Sequence, residues 1–105
     1  MANYVLVYKG GDPPSGTEAE SAAVMQAWVG WFSALGAAVV DAGNPFGPSA
    51  AVAPDGTVSD GGPSGLTGYS VVTADSLAAA VELAKGCPHL RANGTVEVYE
   101  TFVIG

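Results

Sequence analysis

Apolar and polar positions alternate along this chain with two different periods. Asn3 to Tyr8 (NYVLVY) is a nearly unbroken β-prone run, which predicts a central strand covered on both faces. Lys9 to Gly16 (KGGDPPSG) pairs Gly with Gly and Pro with Pro and reads as a turn. Thr17-Glu18-Ala19-Glu20 then fits a capping box, with Thr at the N-cap and Glu three residues on. The helix it opens is expected to run to about Leu35 and stop at Gly36. One apolar row is Val24, Trp28, Trp31 and Leu35; a second is Met25, Val29 and Phe32. Together they predict a helix buried on two sides, one against a sheet and the other against a second chain.

The remaining elements follow the same logic. A strand is expected at Ala38 to Asp41, ended by Gly43-Asn44-Pro45. Ser49 to Ala53 and Thr57-Val58 flank Asp55-Gly56, a signal for a hairpin with a two-residue turn. Asp60 to Gly65 is another turn-rich stretch, and Leu66 to Thr73 a strand. Asp75 is expected to cap a second helix over Ser76 to Lys85, with Leu77, Ala80, Val81 and Ala84 as its buried stripe. Gly86 and Pro88 end it, and Thr95 to Ile104 forms the last strand.

The order βαββαβ, with a small extra hairpin near 49–59, predicts an α+β, ferredoxin-like domain. Two helices would cover one face of an antiparallel sheet and leave the other open. In the last strand Val96, Val98 and Phe102 share one face, with Glu100 as the exception. Glu97, Tyr99, Thr101 and Val103 share the other. That second set is neither plain solvent surface nor plain core. It points to a homodimer formed sheet to sheet around a partly polar cavity, a dimeric α/β barrel.

Length and charge narrow the function. With 105 residues the chain holds one domain, 1–105. Ten acidic residues against three basic ones give a net charge of −7. Lys9, Lys85 and Arg91 cannot form the basic patch that nucleic acid or an anionic membrane surface requires. No charged residue occurs from Ser21 to Val40, a length that could span a bilayer. Gln26, Ser33, Gly30 and Gly36 interrupt it, and its flanks are acidic, so no membrane span is expected. Cys87 is the only cysteine, which argues for a reducing, cytoplasmic setting. The N-terminus has no signal-peptide pattern.

Several stretches together resemble the YCII-related family in its DGPF-type branch. They are the opening YVLVY strand, Asp60-Gly61-Gly62-Pro63, Gly68-Tyr69, Ala74-Asp75-Ser76-Leu77, Gly86-Cys87-Pro88 and the closing VEVYE strand. The resemblance implies a ferredoxin-like fold in a dimeric α/β barrel, and small-molecule elimination or isomerisation among some relatives. The acid–base pair proposed in parts of that family includes a His in the first helix. This chain has none there. Its DGPF box also carries an extra Gly before Pro63, and Ser64 in place of Phe.

Few residue types here can carry chemistry. His89, the only His, could act as a general acid or base, or be a loop residue bonded to local carbonyls. Glu97 in an apolar barrel could shuttle protons, or pair with Lys9 or Arg91. Tyr69, Tyr99 and Thr101 are candidates to bind a ligand in the cavity. Asp60 is another candidate, or a turn cap, and Asp41 is a similar case. Cys87, at a helix C-terminus, reads as buried and structural rather than nucleophilic. The Gly-rich loops match no phosphate-binding pattern, one His and one Cys make no metal site, and no cofactor motif is present. Asn93-Gly94-Thr95 reads as a turn.

The expected function is therefore a homodimer holding a small, mostly apolar molecule between its sheets, with or without proton-transfer chemistry. The alternative is a non-enzymatic sensing or structural module.

Overall fold

The computed structural model describes residues 1–12, 16–62 and 64–104. It is an α+β fold. Strands β1 (Ala2–Gly10), β2 (Val39–Asp41), β5 (Leu66–Ala74) and β6 (Gly94–Glu100) form one antiparallel sheet in the order β2-β5-β1-β6. Strands β3 (Ala50–Val52) and β4 (Val58–Asp60) form a separate two-stranded ribbon. Helices α1 (Glu18–Leu35) and α2 (Leu77–Ala84) complete the fold. Pro13, Pro14 and Ser15 of the predicted first turn and Pro63 of the Asp60–Gly65 turn lie outside the described residues.

Helix α1 starts and stops where its sequence dictates. The Thr17 hydroxyl accepts the Glu20 N–H at 3.1 Å, and the Gly36 N–H closes on the Phe32 carbonyl. A 3-10 turn over Gly36–Ala38 follows, so β2 begins at Val39 rather than Ala38. Helix α2 is capped one residue later than expected. The backbone of Ser76 is extended and its hydroxyl accepts the Ala79 N–H at 3.1 Å, which leaves Asp75 outside the cap.

Both helices lie on one face of the sheet, since side chains from both join Tyr4, Leu6, Tyr8 and Val72 in a single core. From α1 the core takes Trp31, with Trp28, Phe32 and Leu35 packed beside it. From α2 it takes Ala80 and Ala84, whereas Leu77 and Val81 of the predicted stripe are exposed. The small residues let α2 come close enough for the Trp31 Nε1–H to reach the Leu83 carbonyl at 3.2 Å. Leu83 packs against the core from the α2 side. The second row of α1 is uncovered: Met25 is 66% exposed and Val29 58%. Val24, placed by the sequence in the buried row, is exposed as well.

Buried polar groups tie the sheet to the loop after β2. The Ser70 hydroxyl donates to the Ala42 carbonyl at 2.6 Å and accepts from the Tyr8 hydroxyl at 2.6 Å. With its hydrogen given to Ala42, Ser70 can only accept from Tyr8. Burial pushes the Tyr8 phenol up to about 12. The neighbouring Gly43 has φ +79, and a Cβ there would overlap the Tyr69 carbonyl. This close approach keeps the chain beside β5, where Pro45 bridges Gly68 and the Phe46 N–H reaches the Thr67 carbonyl at 2.8 Å.

The ribbon's turn has three residues, Pro54, Asp55 and Gly56, not two. Ala53 bonds both the Gly56 N–H and the Thr57 carbonyl at 2.8 Å, and Asp55 Oδ1 accepts the Thr57 N–H at 2.9 Å. Pro54 presets the first turn position and Gly56, at φ +88, takes the left-handed position after it. Strand β6 ends at Glu100 instead of reaching Ile104, and Phe102, Val103 and Ile104 are exposed. Phe102 therefore does not share the buried face with Val96 and Val98. The exceptional Glu100 on that face accepts the Tyr4 hydroxyl at 3.2 Å.

Candidate functional site on the uncovered sheet face

Side chains alternate along each strand, so burying Tyr4, Leu6 and Tyr8 turns Asn3, Val5 and Val7 to the other face. The register places the neighbours. Tyr69, Val7 and Glu97 form one row across β5, β1 and β6. Val71, Val5 and Tyr99 form the next row, with Asp41 of β2 beside Val71. Thr73 and Asn3 begin a third, completed by Thr101, which gives both its N–H (2.9 Å) and its hydroxyl (2.8 Å) to the Asn3 carbonyl. Among the described residues no helix lies over these rows. Val5, Val7 and Val71 are only half-buried, and the prediction that β1 is covered on both faces does not hold within one chain.

The face has a valine floor and a polar group on either side. On one side the Tyr99 hydroxyl donates to Glu97 Oε1 at 2.8 Å. This hydrogen bond first, and then the carboxylate charge, hold the Tyr99 phenol above its usual range. On the other side the Tyr69 hydroxyl reaches Asp41 Oδ2 at 3.4 Å, while Asp41 Oδ1 accepts the Gly43 N–H at 2.8 Å. Phe46 stacks on Tyr69 with ring centroids 5.9 Å apart and planes 18° off parallel. Tyr69 and Glu97 stand two strand spacings apart, about 10 Å. The hydrogen-bond partner of Glu97 here is Tyr99, not Lys9 or Arg91.

His89 does not join this group. It sits in a 3-10 turn (Pro88–Ala92) on the helix side of the sheet, with its ring against Tyr8 at a centroid distance of 5.6 Å. Nε2–H donates to the Lys9 carbonyl at 3.0 Å. A Cβ on Gly94 would overlap the imidazole, and one on Gly11 would lie 2.8 Å from it. His89 is thus wedged between backbone segments and bonded to a local carbonyl. His89 and Glu97, the two candidate catalytic residues, lie on opposite faces and are not brought together.

Asp60 is exposed at the end of β4, opposite Ala50 and away from the sheet rows. The turn beside it is held by Ser49, whose hydroxyl accepts the Gly62 N–H at 2.8 Å. Cys87 is buried, and burial pushes its thiol up to about 11, which suits a structural role. Asn93 turns the chain into β6 with φ 61, as the Asn-Gly pair predicts. Sequence reasoning missed Asp41 and Phe46 as partners of Tyr69. The signal is Gly43-Asn44-Pro45, which ends a strand and also folds the chain back along β5.

Among the described residues, no three or more His, Cys, Asp or Glu side chains are grouped to hold a metal ion. No helix among them is long and apolar enough to cross a membrane. A protein-family scan and a search of curated proteins return no match to the chain.

Proposed function

We propose that this chain is a ferredoxin-like, YCII-related domain that pairs through its uncovered sheet face with a second copy and holds a small, mostly apolar molecule between the two sheets. The observation that carries the reading is the composition of that face. Three valines make an apolar floor, and two phenol–carboxylate pairs, Tyr99–Glu97 and Tyr69–Asp41, flank it. The strand order and the two helices on one face support the fold assignment.

Surface area supports the pairing. Folded monomers of this mass expose about 5,400 Å² by the usual scaling. The chain exposes 6952 Å². The surplus, roughly 1,500 Å², exceeds the ~800 Å² that one partner contributes to a standard interface. Such pairing would desolvate Glu97 and Tyr99 and place a proton donor and an acceptor beside the bound molecule. Tyr69 and Thr101 would orient it. That arrangement suits proton transfer, in an elimination or an isomerisation. The lone thiol at Cys87 supports a reducing, cytoplasmic setting.

A second reading, binding without catalysis, draws on one observation: Glu97 and Tyr69 are about 10 Å apart, too far to act on one bond together. Sedimentation velocity tests the shared premise. The wild-type chain is expected to sediment as a dimer at micromolar concentration. Tyr99→Asp, which buries an unpaired charge, is expected to be monomeric. A monomeric wild type, or a dimer that survives the substitution, overturns the proposal.

A further inference from the structure

The β3–β4 ribbon is well made and yet uncovered. Its turn is closed by local hydrogen bonds, and its root is clamped where Ser49 accepts the Gly61 and Gly62 N–H groups, each at 2.8 Å. Its one directly opposed pair of large apolar side chains, Val52 and Val58, is 71% and 63% exposed. A two-stranded ribbon alone is marginally stable in water. One with its valines in solvent lacks the apolar cover that would hold it.

The ribbon leaves from the rim of the candidate site. Phe46, at its base, stacks on Tyr69. A depression of about 280 Å³ at that base is lined by Phe46, Ser49 and Leu66. The molecule measures 44 × 41 × 18 Å. Its thickness is that of one sheet and one helix layer, so the ribbon adds breadth and no depth. The radius of gyration, 15.3 Å, exceeds the ~13 Å of a compact chain this long. This breadth belongs to the same surplus surface that a second copy would cover.

We infer that the ribbon is an arm. Val52 and Val58 of one copy pack on the open sheet face of the other and close one end of its floor of Val5, Val7 and Val71. The site is then built from both chains. This inference rests on the proposed pairing through the sheet, and it commits to a second copy of this chain as the arm's partner.

The test is photo-crosslinking in an equimolar mixture of normal and heavy-isotope protein. Cys87 is buried, so a benzophenone maleimide can be placed selectively at Val58→Cys or, separately, at Val7→Cys. The expected result is mixed-isotope crosslinks from both positions, with the Val58→Cys probe attached to β1, β5 or β6 of the other copy. Mixed-isotope crosslinks from Val7→Cys alone keep the sheet pairing and overturn the arm. None from Val7→Cys overturns the pairing and the arm with it. A Val58→Cys probe attached to helix α1 of the other copy also overturns the arm as placed here.

Discussion

Tyr99 donates its hydroxyl to Glu97 across two positions of the same strand, on the face that carries no helix. The bond ties the Tyr99 phenol to the charge state of its neighbour. Neutralising Glu97 weakens the hydrogen bond and removes the carboxylate charge, the two largest of the three causes that hold the Tyr99 phenol above its usual range, and leaves only burial unchanged. Glu97→Gln is therefore expected to lower the Tyr99 ionisation point towards about 10. Tyrosine ring signals followed by NMR across alkaline pH would show it. An unchanged Tyr99 curve would mean that the bond does not persist in solution.

The Tyr8–Ser70–Ala42 chain predicts an asymmetry between two conservative substitutions. Ser70→Ala leaves the buried Tyr8 hydroxyl and the Ala42 carbonyl without their partner, at a cost of about 1–3 kcal/mol. Tyr8→Phe leaves the Ser70–Ala42 bond in place and should cost about 1 kcal/mol or less. Urea unfolding midpoints of the two variants would rank them. Equal losses, or the reverse order, would refute the directionality assigned to the chain.

His89 and Gly94 should be coupled energetically. A methyl group on Gly94 cannot coexist with the imidazole where it stands. Gly94→Ala is expected to destabilise the fold by about 1–3 kcal/mol, as overpacking does. In a His89→Ala background most of that loss should vanish. A double-mutant cycle with no interaction energy would mean that His89 is not wedged there.

Alkaline pH should weaken the fold before it affects ordinary surface groups. Burial raises the Cys87 thiol to about 11 and the Tyr8 phenol to about 12. Both groups are therefore more readily protonated when folded. The sign follows: the stability they contribute is whole below their unfolded values, near 8.5 and 10, and is lost as pH rises through the folded ones. Denaturant midpoints should fall between about pH 9 and 12. Cys87→Ala should flatten the lower part of that fall, and a slope identical to wild type would contradict the assignment.

Elements with a local cause were legible in the sequence. The Thr17 cap, the Gly36 stop and the central place of β1 depend on neighbours or on one long apolar run. The division of β6 into two faces was legible too, because strand parity is strict. Features set by distant contacts were not. The stripe of α2 kept Ala80 and Ala84 but turned away from Leu77 and Val81 towards Ala79 and Leu83, where Leu83 meets Trp31. The end of β6 depends on where β1 offers partners, and apolarity alone extended it too far. The candidate site was half legible: Glu97, Tyr99 and Tyr69 came from parity, whereas Asp41 and Phe46 reach Tyr69 only because Ser70 and Gly43 draw the loop onto β5. His89 is the only imidazole in the sequence. Its wedge between Gly11 and Gly94 could be seen only in three dimensions.

The two edges of the four-stranded sheet are unlike. At the β2 edge the ladder is three residues long, irregular between Val39 and Asp41, and followed by Pro45, which has no N–H to offer. At the β6 edge seven residues run without proline, and among the described residues no strand pairs with the outer side. Lateral growth by strand addition is thus open in one direction only, which limits it to pairs of β6 edges and prevents extended stacks. Glu97 and Glu100 on that strand, within a chain of net charge −7, oppose even this pairing at low ionic strength. Concentrated salt removes the opposition, so the β6 edge is where this protein would begin to aggregate.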